Sequence, residues 1–261
     1  MARSLPILTF HAWDDLPSVL SFPTDVFVRG IRKLYENGFR TLSLETAVSC
    51  ARDGAEFPER ALVITIDDGY RSVYEFAFPV LQEFGMTATL FLTVGADRAK
   101  GNARPPAVDG RSMLCWKEVD EMHRYGFSIG AHTLTHPDLT RVSTTEVERE
   151  VCGSKQRIED ALGVPVRCFS YPFGRFDRRS IELAREHFSC ASSDRLGSFS
   201  ARSDLYALER VDAYYLRTDR KFDRLRQPSF PWYLRARNVP RRLRRACRTA
   251  LSCVDDLVSG S

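Results

Sequence analysis

Apolar residues in this chain alternate between short continuous runs and stripes at helical spacing. The runs at 5–10, 39–44, 61–66, 87–94, 127–131, 166–170, 189–192 and 208–215 are rich in β-branched and aromatic residues, and turn or polar residues bound them. They lack a helical period, so each predicts a buried strand. Between them, Phe27, Ile31, Leu34 and Tyr35 fall on one helical face that Gly38 closes. A further helical turn or two is expected over 44–50, and helices over 72–84, 116–125, 143–162 and 180–186. Pro79 marks a kink or a second helical piece inside 72–84, and Ser143 with Glu146 has the spacing of a capping box. Strand–helix alternation of this kind predicts an α/β fold with a parallel sheet, open or closed. Polar residues gather at the ends of many different strands, which favours the closed, barrel form.

Composition changes this picture little. The chain has 261 residues, of which 43% are apolar and 28% charged, as in an ordinary globular protein with material for a core. No stretch has the apolar length of a membrane span, and the N-terminal residues lack the pattern of a secretory signal, so a cytoplasmic location is expected. Seven cysteines stand singly with no CxxC pair, which argues against a disulfide framework or a thiolate zinc site. Charge adds a division. The formal +4 is carried by the segment from Arg226 onward, with eight Arg and two Asp. We therefore expect a catalytic body over 1–225 and a basic tail over 226–261.

Candidate chemistry lies at the strand ends. The run 61–66 stops at Asp67-Asp68-Gly69, two adjacent carboxylates that need positive charge beside them unless the motif is a plain Asp-Gly turn. After the strand at 127–131 comes His132-Thr133-Leu134-Thr135-His136, whose two imidazoles can converge on one point. Two His and one carboxylate make a metal site of the zinc type, and the spare carboxylate is then free to act as general base. Zinc is the default; cobalt, nickel or iron suit the same donors. Arg210, on the last strand, could orient Asp67 and depress its pKa, although a surface ion pair would be equally ordinary. Trp116 and Tyr171 are candidate apolar walls for a sugar ring, with core packing as the plainer alternative.

Three motifs in this order, Thr65-Ile66-Asp67-Asp68-Gly69, then His132 to His136, then Phe169-Ser170-Tyr171-Pro172-Phe173-Gly174, resemble those of the NodB-homology polysaccharide deacetylases, carbohydrate esterase family 4. The resemblance implies a distorted (β/α)7-type barrel and metal-dependent removal of N-acetyl groups from amino sugars. It implies Asp67 as base, Asp68, His132 and His136 as metal ligands, and the Phe173 backbone N–H as an oxyanion donor. Two departures carry information. Ser170 stands where the third motif commonly has Arg, as in the subgroup of exopolysaccharide deacetylases, and the late L-x-H motif that supplies the general acid is absent. In that subgroup an N-terminal strand ending in Tyr- or Phe-His takes over; Phe10-His11 matches, so His11 is the expected acid.

The expected substrate is an amino-sugar polymer or a lipid-linked glycan of exopolysaccharide assembly. Two alternatives stay open: deformylation or deacylation of a lipid-linked amino sugar, and an inactive carbohydrate-binding relative. In the tail, Leu243, Ala246, Cys247, Ala250, Leu251, Val254, Leu257 and Val258 form an apolar stripe beside Arg241, Arg242, Arg244, Arg245 and Arg248. That pattern fits contact with an anionic membrane surface at the inner face, or packing on the body. No nucleic-acid reading module accompanies the charge.

Overall fold

The computed structural model describes residues 4–95, 107–227, 229–230, 232–234 and 236–238. The elements follow in order as β1 (Ile7–Phe10), α1 (Thr24–Glu36), β2 (Arg40–Thr41), α2 (Leu44–Arg52), β3 (Ala61–Ile66), α3 (Phe78–Glu83) and β4 (Thr89–Leu92). They continue as α4 (Trp116–Tyr125), β5 (Ser128–Ala131), α5 (Thr144–Leu162), β6 (Cys168–Ser170), α6 (Arg178–His187), β7 (Cys190–Leu196) and β8 (Leu208–Asp212). All ladders between these strands are parallel. The sheet runs β1-β8-β7-β6-β5-β4-β3, and β1 pairs back onto β3, which closes a seven-stranded barrel; β2 lies outside it on β3. The expected (β/α)7-type barrel is the observed fold.

Each strand contributes to two apolar populations because successive side chains face opposite ways. Leu8, Phe10, Leu62, Ile64, Ile66, Leu90 and Leu92 point outward into the main core shared with the helices. Ile7, Val63, Phe91, Cys168, Cys190 and Leu208 join Leu44, Phe57 and Phe199 in a second cluster that fills the barrel. The inward rows become polar toward the carboxyl ends of the strands. Thr9 and Thr65 bond to each other at 3.1 Å, and the rows continue to His11, Asp67, His132, Ser170 and Arg210. Strand periodicity thus aims the chemistry into the barrel mouth.

Several local expectations are met by identifiable devices. Ser143 caps α5 by accepting the Glu146 N–H, and Gly163 ends that helix in the left-handed region. Pro79 sits in the first turn of α3, after a π turn over Val73–Ala77, so its missing N–H is accommodated at a helix start. Two strand boundaries differ from expectation. β7 extends to Leu196 through Ser193, Asp194 and Arg195, because a register irregularity against β8 lets polar residues enter the ladder. β8 stops at Asp212 instead of running to 215, since the Asp212 carboxylate accepts the Tyr214 N–H and starts a 3-10 turn.

Most of the irregular segment 95–111 and the apolar–arginine stripe of the tail lie outside the described residues. The early tail packs on the body: Phe230 and Leu234 are buried in the main core, and Asn238 donates from Nδ2 to the Leu196 carbonyl at 2.6 Å. Among the described residues, no helix is long and apolar enough to cross a membrane.

The tightness of the barrel interior is testable at Gly130. A Cβ there would meet the Phe91 ring at 2.5 Å and the Cys168 carbonyl oxygen at 3.0 Å. Gly130→Ala is expected to destabilise the fold by about 1–3 kcal/mol through overpacking, read as a lower denaturation midpoint with an unchanged m-value.

Candidate active site

One cavity of about 450 Å³ opens at the carboxyl ends of the strands, and His11, Asp67, Asp68, His132, His136, Phe173 and Arg210 all line it. A cleft of that volume accommodates a sugar unit. The structure therefore brings together seven of the residues singled out from sequence. Trp116 and Tyr171 are placed as buried residues. Trp116 opens α4, is buried in the main core and does not line the cavity. Tyr171 borders it, but its ring is fully buried against Phe169 and Phe176, and its hydroxyl donates to the Tyr206 carbonyl at 3.1 Å. Neither ring offers a face to a sugar, because each is consumed by packing.

Asp67 and Asp68 diverge because the backbone turns sharply between them. Asp67 still belongs to the sheet, its N–H bonded to the Phe10 carbonyl at 3.0 Å, whereas Asp68 has φ +74°. Asp67 faces the guanidinium of Arg210 in a fork, Nη1 to Oδ1 at 2.9 Å and Nη2 to Oδ2 at 2.8 Å. Ser170 Oγ donates a third bond to Oδ2 at 3.1 Å. A carboxylate offers about four acceptor positions, so one remains for a ligand in the cavity. Arg210 is itself held by the Ser193 carbonyl at 2.9 Å and by Thr65 Oγ1 at 3.3 Å. Burial opposes ionisation of Asp67, but the adjacent Arg210, then His132, outweigh it and hold its pKa well below the usual carboxylate range.

Asp68 points the other way. Its Oδ1 lies 3.4 Å from both His132 Nε2 and His136 Nε2, and the two nitrogens are 3.2 Å apart. Metal–ligand bonds of 2.0–2.1 Å in tetrahedral geometry imply ligand–ligand separations of about 3.3 Å. One carboxylate and two imidazoles with these spacings fit a zinc-type cation. His132 Nδ1 is bonded to the Ser170 carbonyl at 2.7 Å, which fixes the tautomer and leaves Nε2 as the donor atom. Burial works against a charged His132, yet the hydrogen bond it donates to Asp68 and the charge of Asp67 raise its pKa, so this spot favours a cation. Burial, then the neighbouring His132, lowers the His136 pKa to about 4, which keeps that imidazole neutral and its lone pair available.

The same residues carry the backbone strain. Among the described residues, Asp68, Thr133, His136 and Phe173 are four of six non-glycine positions with positive φ. Such outliers persist where surrounding bonds over-determine them and concentrate at functional sites. Phe173 lies on the turn after β6, is 56% exposed, and sets its ring edge-on to His136 at 4.6 Å. His11 follows β1 directly; the register pairs Phe10 with Ile66, so His11 stands alongside Asp67.

Sequence reasoning missed Tyr70, Ser193, Asp194 and Asp212, all of which line the cavity. For Asp212 a signal existed: it stands two residues past Arg210 and so continues the same inward row. Tyr70 is buried, and burial followed by the nearby Asp68 raises its pKa, so its hydroxyl stays protonated. The two other histidines sit away from the cavity lining, His123 bonded to the Phe127 carbonyl at 2.9 Å and His187 in the last turn of α6.

Comparisons with known proteins agree with this geometry. The family model described as polysaccharide deacetylase matches residues 54–188, just over half of the chain. YxkH of Bacillus subtilis (strain 168), provisionally named a polysaccharide deacetylase, is 28% identical over 79% of this chain and 70% of its own length. The poly-beta-1,6-N-acetyl-D-glucosamine N-deacetylase of Escherichia coli (strain K12) is 35% identical over 35% of this chain, a match that spans 14% of that enzyme. The solved structure of the Streptococcus pyogenes deacetylase PplD in complex with acetate superimposes with a TM-score of 0.73 at 25% identity, covering 81% of this chain and 93% of that one. The chain belongs to the polysaccharide deacetylase family and is related to exopolysaccharide N-deacetylases.

Proposed function

We propose that this enzyme removes N-acetyl groups from the amino sugars of an exopolysaccharide or its lipid-linked intermediate, with a divalent metal, zinc by default, held by Asp68, His132 and His136. The observation that carries the reading is the side-by-side arrangement of two differently compensated carboxylates. Asp67 is paired with a fixed cation, whereas Asp68 faces two imidazoles at cation-binding spacing. A metal in that position supplies Lewis acidity, polarising an amide carbonyl and making water more acidic.

The chain's own groups then carry the protons. Asp67, through its remaining acceptor position, takes a proton from the attacking water as the oxygen adds to the acetyl carbon. The Phe173 N–H donates to the carbonyl oxygen as negative charge develops there. His11, on the neighbouring strand, delivers a proton to the nitrogen as the C–N bond breaks, giving acetate and the free amine. Arg210 keeps Asp67 oriented and ionised without taking its last acceptor position. The basic segment beyond 238 is proposed to hold the enzyme near an anionic membrane face, where a lipid-linked glycan would be presented.

The decisive measurement is acetate release from N-acetylglucosamine oligomers by protein stripped with chelator and then given zinc. Metal-dependent release that falls by at least about 10²-fold in Asp67→Asn is the expected result. Formate release from a formylated amino sugar, with no acetate from the acetylated one, would instead favour the deformylase reading.

Replacing His11 by Ala is expected to lower kcat by about 10²–10⁴-fold with acetylated amine leaving groups. The loss should shrink for an activated ester whose leaving group needs no proton. An equal loss on both substrates would contradict the assignment of His11 as acid.

Activity requires ionised Asp67, so it fades as pH falls through the pKa of that group. Arg210→Met removes the cation that depresses this pKa and is expected to move the acidic limb of kcat/KM upward by about 1–3 pH units. Arg210→Lys should recover part of the shift. An unchanged limb in Arg210→Met would overturn the role.

A further inference from the structure

The loop that carries both histidines is gripped by a buried acid remote from the cavity lining. Glu150 lies on α5, is fully buried, and directs both carboxylate oxygens at the segment between His132 and His136. Its Oε2 accepts the N–H of Leu134 and the N–H of Thr135, each at 2.8 Å. Its Oε1 accepts Thr135 Oγ1 at 2.8 Å and Arg149 Nη2 at 2.9 Å. Every partner donates, so the carboxylate is saturated.

The grip continues one helical turn further on. At Gly153 a Cβ would come within 2.9 Å of Leu134 Cδ1, so the missing side chain lets Leu134 seat on the helix. Residues three apart on a helix share a face. Glu150 and Gly153 therefore hold one residue, Leu134, by backbone and side chain together. On the opposite side the Thr133 and Leu134 carbonyls accept the N–H groups of Val94 and Gly95 at 3.2 and 2.6 Å. The clamped stretch is the one that bears φ +67° at Thr133 and +61° at His136.

The two histidines are secured differently. His132 has its own anchors: its N–H bonds the Leu92 carbonyl at 2.9 Å, and Nδ1 meets the Ser170 carbonyl. For His136 the backbone N–H bonds Thr133 Oγ1 at 3.0 Å, inside the clamped loop. We propose that Glu150 is a positioning residue for His136, fixing the strained loop so that His136 Nε2 stands at cation-binding distance from His132 and Asp68. This rests on the reading of those three residues as metal ligands. Without Glu150, two partly buried N–H groups lose their acceptor, and the loop shifts toward water to satisfy them. His136 is carried along, whereas His132 stays.

The test is zinc affinity of the full chain, by competition with a chromophoric chelator, together with the melting temperature of the metal-free protein. Glu150→Ala is expected to bind zinc about 10–100-fold more weakly, in the range seen when groups that orient ligands are removed. Glu150→Gln, whose amide oxygen can still accept both backbone N–H groups, should recover most of the affinity. Should Glu150→Ala fail to fold, Glu150→Asp, shorter by one methylene, carries the same measurement. A variant that melts earlier when metal-free yet binds zinc as the parent does would show a role in stability alone and overturn the proposal. A parent chain that binds no zinc would overturn the metal reading and the proposal with it, an outcome visible before any variant is compared.

Discussion

Two neighbouring buried carboxylates impose the constraint on which this site depends. Asp67 and Asp68 are both largely withdrawn from water, and each needs its own source of positive charge or hydrogen bonds. Asp67 finds it in Arg210, from the far end of the chain, and only barrel closure makes that meeting feasible. β1 lies between β8 and β3, so the side chains of β8 and β3 meet across the lumen and not along a ladder. Opening the β1–β3 seam would leave a buried guanidinium and a buried carboxylate unpaired, a loss larger than that of an ordinary surface pair. The buried Asp67–Arg210 pair and the closed topology are thus mutually dependent.

Asp68 is compensated from the opposite quarter. The left-handed turn at Asp68 directs its carboxylate at the two imidazoles delivered after β5. One consequence is separation of the two charges: Asp67 is kept ionised by a fixed organic cation, apart from the imidazole pair that faces Asp68. Ser170 links the two halves. Its hydroxyl donates to Asp67 and its carbonyl accepts from His132, so one residue of β6 orients both side chains. The departure from the usual third motif that was visible in sequence is matched here, with Arg210 providing the cation from another strand.

The strained backbone at Asp68, Thr133, His136 and Phe173 shows where packing energy is spent on geometry. These positions would relax if isolated. Each is held by bonds from another element: Asp68 by its carbonyl to Thr93 N–H, the histidine loop by β4 and α5, and the turn after β6 by a Gly174 pressed against the backbone of Asp194. Several elements converge on the site, and no single motif would fold into it alone.

Sequence by itself determined what depends on local order. The apolar runs fixed most strands to within a few residues, alternation within them decided which residues face inward, and residue chemistry marked Asp67, Asp68, His132 and His136. His11 was legible as a candidate because it follows a strand run, and Arg210 because it is a cation within the last one. Tertiary structure alone decided what depends on distance in the chain. It closed the seven-stranded seam, turned Trp116 and Tyr171 into core residues, admitted the polar stretch of β7 through a register shift, and brought in Tyr70, Ser193, Asp194 and Glu150. The reason is physical. Periodicity and capping are short-range and written in adjacent residues, whereas burial of an aromatic ring or the pairing of charges 143 residues apart is settled by which elements pack together.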